Sequence, residues 1–204
     1  MSDIVLVILA GGAGRRIGGN KPGQRLDGQR LIDITESYAQ QTHLPYAIAV
    51  RSYGQIADLD APKILDADIE GPLGGLVSAL EWGARQGAKA VLTLPCDMPF
   101  LPRDLPARFK RAGAPFEHPV VATSGGRLHP VCALWPVSCL GAIRRFAALG
   151  RRSLTGALEL FETRTMDWPD TDGDPFMNLN TRDDLKHAES LRRRDAVTAM
   201  DGVR

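Results

Sequence analysis

Six consecutive apolar residues, Ile4-Val5-Leu6-Val7-Ile8-Leu9, stand near the start of the chain and stop at Gly11-Gly12. The run is short, rich in β-branched residues and free of polar alternation. It therefore predicts a strand buried on both faces, the condition of a strand in a parallel sheet covered by helices. The Gly-Gly pair ends the run too early for a signal peptide or a spanning helix, and no basic segment precedes it.

The rest of the pattern agrees with such a sheet. Strands are predicted over 46–50, 63–65, 90–94, 119–123, 131–135 and 163–168. Helices are predicted over 30–41, 72–86, 103–112, 138–149, 154–160 and 183–194, the last with Thr181 as its N-cap. Residues 10–28 read as a polar loop. Strands alternating with helices give an α/β class: a single-domain, Rossmann-like three-layer sandwich around a mostly parallel sheet. With 204 residues, 44% of them hydrophobic, the chain is long enough for one sizeable core. The domain is expected over 1–194, and 195–204 as a frayed tail.

Charge and cysteine use narrow the function classes. Lys and Arg number 25 against 24 Asp and Glu, which gives no electrostatic footprint for nucleic acid or an anionic membrane. Cys96, Cys132 and Cys139 have neither disulfide nor zinc spacing, and the histidines are scattered. A soluble cytoplasmic protein is expected.

Any anionic ligand must then meet a local cluster of cations. One stands directly after the first strand, in Leu9-Ala10-Gly11-Gly12-Ala13-Gly14-Arg15-Arg16-Ile17-Gly18-Gly19-Asn20-Lys21-Pro22. The carboxyl edge of an open α/β sheet is where such folds bind ligands. Glycines let backbone N–H groups approach a phosphate, and Arg15, Arg16 and Lys21 add positive charge. A nucleoside triphosphate needs such a cradle. Two familiar phosphate loops do not fit: Lys21 lies between Asn20 and Pro22, not in Gly-Lys-Ser/Thr, and Ile17 occupies the third glycine of a dinucleotide loop.

A second buried run ends in Pro95-Cys96-Asp97-Met98-Pro99-Phe100-Leu101-Pro102. Asp97 at that edge suits Mg²⁺, which keeps most of its waters and takes one or two carboxylates; the alternative is a turn-capping aspartate. Cys96 reads as a small buried hydrophobe. Asp66 precedes a helix beginning Gly71-Pro72-Leu73, where acidic residues complement the helix dipole. Asn178 and Asn180 alternate on a short extended stretch, which puts both amides on one face, to bind ligand or to satisfy buried backbone.

In matching order over about residues 4–190, these segments resemble the MobA-type molybdenum cofactor guanylyltransferases, nucleotidyltransferases of the nucleotide-diphospho-sugar transferase fold. The resemblance is carried by LAGG with Arg16, Gly19 and Lys21, by PCD-x-P-F-L-P, by GPL-x-G after Asp66, by R-x-HP at Arg127 and His129, and by F-x-N-x-NT at Asn178 and Asn180. It implies Leu9, Ala10, Gly11, Gly12, Lys21, Asp66, Gly71, Pro72, Leu73 and Asp97 at the nucleotide, with Asp66 facing guanine. It implies Arg16, Lys21 and Asp97 in catalysis and Asp97 on Mg²⁺. It places Arg127, His129, Asn178 and Asn180 on the pterin-accepting side, although His129 equally suits a structural hydrogen bond. Arg51 falls where such proteins commonly carry an asparagine on the nucleotide. The implied partners are GTP, molybdenum-molybdopterin and, transiently, other proteins of cofactor biosynthesis. The implied reaction transfers GMP from GTP to the phosphate of molybdenum-molybdopterin. The rivals are a CTP-using enzyme of the same fold and a nucleotide- or cofactor-binding protein without turnover.

Overall fold

The computed structural model of the chain describes residues 2–12, 19–171 and 173–201, with the side chains of 195–201 left aside. The apolar runs become strands β1 (Ile4–Leu9), β4 (Tyr46–Val50), β5 (Lys63–Leu65), β6 (Ala90–Pro95), β7 (Val120–Ser124), β8 (Arg127–Pro136) and β9 (Arg164–Trp168), in one sheet of order β5-β4-β1-β6-β8-β7-β9. β8 runs against its neighbours β6 and β7, and every other pairing is parallel.

Helices cover both faces. Along β1, Ile4, Leu6 and Ile8 pack toward α1 (Leu31–Gln41) and α3 (Leu105–Gly113), through Ile32, Ala39 and Phe109. Val5 and Val7 pack on the opposite side, toward α2 (Pro72–Arg85), α4 (Leu140–Ala148) and α5 (Leu154–Leu158). A strand with apolar partners on both sides has no solvent face, and this accounts for the unbroken apolar run. The final helix, α6 (Arg182–Asp201), closes over a smaller cluster of Leu26, Leu31, Leu179 and Ala188. No helix among the described residues is long and apolar enough to cross a membrane.

The segment read as loop contains a small hairpin, β2 (Arg25–Leu26) with β3 (Gln29–Arg30). Asp27 and Gly28 turn it with φ of 48° and 81°, the left-handed pair that two-residue hairpins use.

β1 lies between β4 and β6, at the point where the connections change direction. Leu9 is in register with both Ala49 and Pro95. The chain therefore leaves β1, β4 and β6 at one level of the carboxyl rim. In α/β sheets that crevice receives the ligand.

Candidate active site at the carboxyl rim

Gly11, Gly12, Lys21, Arg51, Asp66 and Asp97 line one cavity of about 270 Å³ at this rim. Backbone bonds hold its walls. Asp66 N–H donates to Val50 O at 2.8 Å, and Ala10 N–H donates to Ala49 O at 2.9 Å. Gln55 braces the turn after β4: its amide donates to Ala10 O at 2.9 Å, and its oxygen accepts from Arg51 N at 3.1 Å. Nothing in the local sequence marked Gln55 for this role.

The two glycine segments are fitted to Asp66. A Cβ on Gly11 would collide with Asp66 Oδ2, and one on Gly75 would stand 3.3 Å from Asp66 Oδ1. Gly71 starts α2 at a φ of 86°, and a Cβ on Gly74 would lie 2.6 Å from the Ile69 carbonyl oxygen. Asp66 Oδ1 is buried and has no hydrogen-bond partner. Burial pushes its carboxyl above the ordinary carboxylate range, and Arg51 opposes that only in part. A buried carboxylate oxygen without a donor is costly, and a ligand N–H would satisfy it. Gly71, Pro72 and Leu9 border the same cavity, whereas Leu73 is fully buried beneath it.

Asp97 is 5% exposed and forms an ion pair with Lys21 Nζ. The ammonium also donates to Asn180 Oδ1 at 2.6 Å and to Asn178 Oδ1 at 3.3 Å. Burial raises the Asp97 pKa, and Lys21 counteracts the shift. Residues 157 or more positions apart in sequence thus meet here. Leu179 N–H donates to Asp97 O at 2.9 Å, which lays the Asn178–Asn180 stretch along the turn after β6. Thr181 caps α6 as expected, in a reciprocal box. Asp184 N–H donates to Thr181 Oγ1 at 3.1 Å, and Asp184 Oδ2 accepts from the N–H groups of Asn180 and Thr181 at 2.8 Å each. Such boxes satisfy N-terminal donors reciprocally; this one also fixes the backbone that carries Asn180.

Around Lys21 Nζ the donor set is all oxygen: Asp97, Asn178 and Asn180. A hard divalent cation prefers oxygen donors of this kind. Among the described residues, no group of three or more His, Cys, Asp or Glu gathers in a way that could hold a metal ion. Cys96 is 3% exposed and burial raises its thiol pKa, consistent with an inert hydrophobe. Arg15 and Arg16 lie outside the described residues.

Asn178 also borders a second cavity of about 480 Å³, lined by Asn180, Arg127, His129, Asp174 and Phe176. The wall between the two cavities is a bulge in β8. Val121 pairs with Ala133 but Ala122 pairs with His129, so Pro130, Val131 and Cys132 loop out of register. Pro130 has no N–H to give the ladder. Thr93 Oγ1 pins the bulge, 2.9 Å from Val131 O and 3.2 Å from Ala133 O. Among the described residues His129 makes no side-chain bond to a backbone carbonyl; its Nε2 lies 2.8 Å from Ser124 Oγ. Asp174 lines the second cavity and Ser124 is buried behind it, between Asp174 and His129, and nothing in the local sequence marked either.

The fold and the sequence have close counterparts. The structure of molybdopterin-guanine dinucleotide biosynthesis protein A from Archaeoglobus fulgidus superposes with a TM-score of 0.77 at 23% identity, covering 95% of this chain and all of that one. Rv0371c from Mycobacterium tuberculosis, solved in complex with manganese, superposes with a TM-score of 0.68 at 16% identity, over 92% and 98% of the two chains. In sequence, the molybdenum cofactor guanylyltransferase of Cereibacter sphaeroides is 38% identical over 192 residues, 93% of this chain and 97% of its own length. The MobA-like NTP transferase domain matches residues 6–163, from the first buried strand to the end of α5 and beyond. With the family domain spanning most of the sheet and the likeness extending over nearly the full length of both proteins, this chain belongs to the MobA-like NTP transferases.

Proposed function

We propose that the chain transfers GMP from GTP to the phosphate of molybdenum-molybdopterin, forming molybdopterin guanine dinucleotide and pyrophosphate. The observation that carries this reading is the unpartnered Asp66 carboxylate oxygen, buried in the same cavity as Lys21 and Asp97. A carboxylate there accepts from both N1–H and the exocyclic amine of guanine, a pair of donors that cytosine and adenine do not offer together. Relatives between 34% and 38% identical over more than nine-tenths of the chain carry the name molybdenum cofactor guanylyltransferase.

In the proposed reaction, a phosphate oxygen of molybdopterin attacks the α-phosphorus of GTP in line. The new P–O bond forms as the bond to the β-phosphate oxygen breaks. The attacking oxygen is already ionised, so no residue has to accept its proton. The protein positions the two phosphates and stabilises charge. Gly11 and Gly12 offer close backbone approach, with Leu9 and Ala10 leading into them, Gly71 and Pro72 forming the opposite lip, and Leu73 buried in support of that lip. Lys21 and Arg16 meet charge growing on pyrophosphate. Lys21 Nζ, on its flexible stem, exchanges Asp97 for phosphate oxygens. Asp97, with Asn178 and Asn180 beside it, would hold Mg²⁺, which would supply neutralisation of the phosphate oxygens. Arg127 and His129 face the acceptor. We assign catalysis to residues 1–194 and the enzyme to the cytoplasm, in keeping with its free, buried cysteines.

Initial rates of pyrophosphate release, measured side by side with GTP and CTP in the presence of Mg²⁺ and molybdenum-molybdopterin, test the proposal. Turnover with GTP and little with CTP is expected. Preference for CTP would identify a cytidylyltransferase. Nucleotide binding without release would identify a binding protein.

A further inference from the structure

The acceptor wall holds a hydrogen-bonded chain that joins two of its residues through two others. Arg127 Nη2 donates to Asp174 Oδ2 at 2.9 Å. Asp174 Oδ1 accepts the Ser124 hydroxyl at 2.7 Å and the Phe176 N–H at 2.9 Å. Ser124 Oγ then meets His129 Nε2 at 2.8 Å. Ser124 is 1% exposed and His129 8%, and the imidazole stacks on Phe176 with centroids 4.7 Å apart. The outer end of the chain is different: Arg127's side chain is 73% exposed, so its other donors remain available.

Proton counting places a proton on Nε2. A serine hydroxyl has one proton, and here the Asp174 carboxylate takes it. Ser124 can then only accept from His129, so Nε2 carries the ring proton. Burial lowers the His129 pKa, Asp174 opposes this, and Arg127 adds to it, a net shift that favours the neutral ring. Nδ1 is left bare. Among the described residues Nδ1 meets no hydrogen-bond partner and is not among the fully buried unpartnered atoms, and His129 lines the cavity.

We infer that Asp174 and Ser124 are positioning residues for the acceptor: one Asp174 oxygen aims the Arg127 guanidinium, while the other, through Ser124, locks His129 as its Nε2–H tautomer and presents Nδ1 to an N–H donor of the pterin. The opposite tautomer would set one donor against another. This inference rests on the guanylyl-transfer reading, because that reading makes the acceptor a pterin bearing a phosphate. Arg127 serves the phosphate, and His129 serves the heterocycle.

Two measurements on the full chain test it. Nitrogen NMR of the imidazoles at neutral pH, with the His129 signals identified by their loss in His129→Gln, should show protonated Nε2 and bare Nδ1. A proton on Nδ1, or an imidazolium, overturns the lock. In steady-state assays, Ser124→Ala and Asp174→Asn should each raise the KM for molybdopterin about tenfold, the scale of one lost hydrogen bond, while the KM for GTP stays in place. Ser124→Thr, which keeps the hydroxyl, should restore the acceptor KM. Equal movement of both KM values, or an unchanged acceptor KM in Asp174→Asn, overturns the positioning role. Wild-type turnover with GTP, read in the same series, reports separately on the function itself.

Discussion

Asp66→Asn should weaken GTP binding and at the same time stabilise the free protein. In the folded chain one Asp66 oxygen is buried without a donor, and burial raises the carboxyl's pKa against the weaker pull of Arg51. An amide of the same shape removes the cost of burying that charge. It also presents an N–H where guanine presents one of its own, so a charge-assisted hydrogen bond is lost. Such a bond is worth about 1.5–3 kcal/mol, which translates into a roughly 10- to 150-fold rise in Kd for GTP. The sign of the stability change follows from linkage. A carboxyl whose folded pKa is raised penalises folding above that pKa, and the penalty disappears as pH falls below the unfolded value. The mutant's gain in melting temperature should therefore be full at neutral pH and vanish in acid. Calorimetric titration with GTP and Mg²⁺, paired with thermal unfolding across pH, measures both effects. GTP affinity within twofold of wild type would show that Asp66 does not meet the base, and a melting temperature below wild type at neutral pH would show that its burial carries no penalty.

The other expectations concern the same rim. Lys21→Ala should lower kcat by about 10²–10³, the scale on which single charge-stabilising donors act, and near-wild-type turnover would show that Lys21 meets no developing charge. Gly11→Ala drives a methyl group into Asp66 Oδ2; nucleotide titration should show GTP binding lost while the chain stays folded, and retained affinity would place the base elsewhere. At Asp184, burial raises the pKa, but the hydrogen bonds from Asn180 and Thr181 outweigh it and leave the net shift downward. The stability this carboxylate supplies is full above the ordinary carboxylate range and is lost as pH falls through the lowered value. Asp184→Asn should cost about 1 kcal/mol at neutral pH, and its unfolding curve should converge on wild type in acid.

Much of this rim was legible from residue order alone. β1 and β6 announced themselves because strands buried on both faces are written as unbroken apolar runs. The loops after them had to fall at the sheet's carboxyl edge, which brought Gly11, Gly12 and Asp97 to one crevice. The Lys21 contacts with Asn178 and Asn180 were not legible, because they depend on a backbone bond from Leu179 to Asp97 and on the box that starts α6. The hairpin at Arg25–Arg30 was missed although Asp27-Gly28 carries its turn signal; its strands are two residues long with Leu26 their one apolar residue, too short for a periodicity to read. β8's reversed direction and its bulge follow from tertiary pairing with β6 and β7. Asp174 and Ser124 stood in no motif, because their meaning lies in a contact across 50 residues.

On this reading the crevice recognises guanine on a metal-bound triphosphate. Calorimetric titration of the purified chain with GTP and with CTP, each with and without Mg²⁺, addresses it most directly. GTP should bind with an affinity that rises when Mg²⁺ is present, and CTP should bind far more weakly under both conditions. Equal affinities for the two nucleotides, or GTP binding indifferent to Mg²⁺, would contradict it.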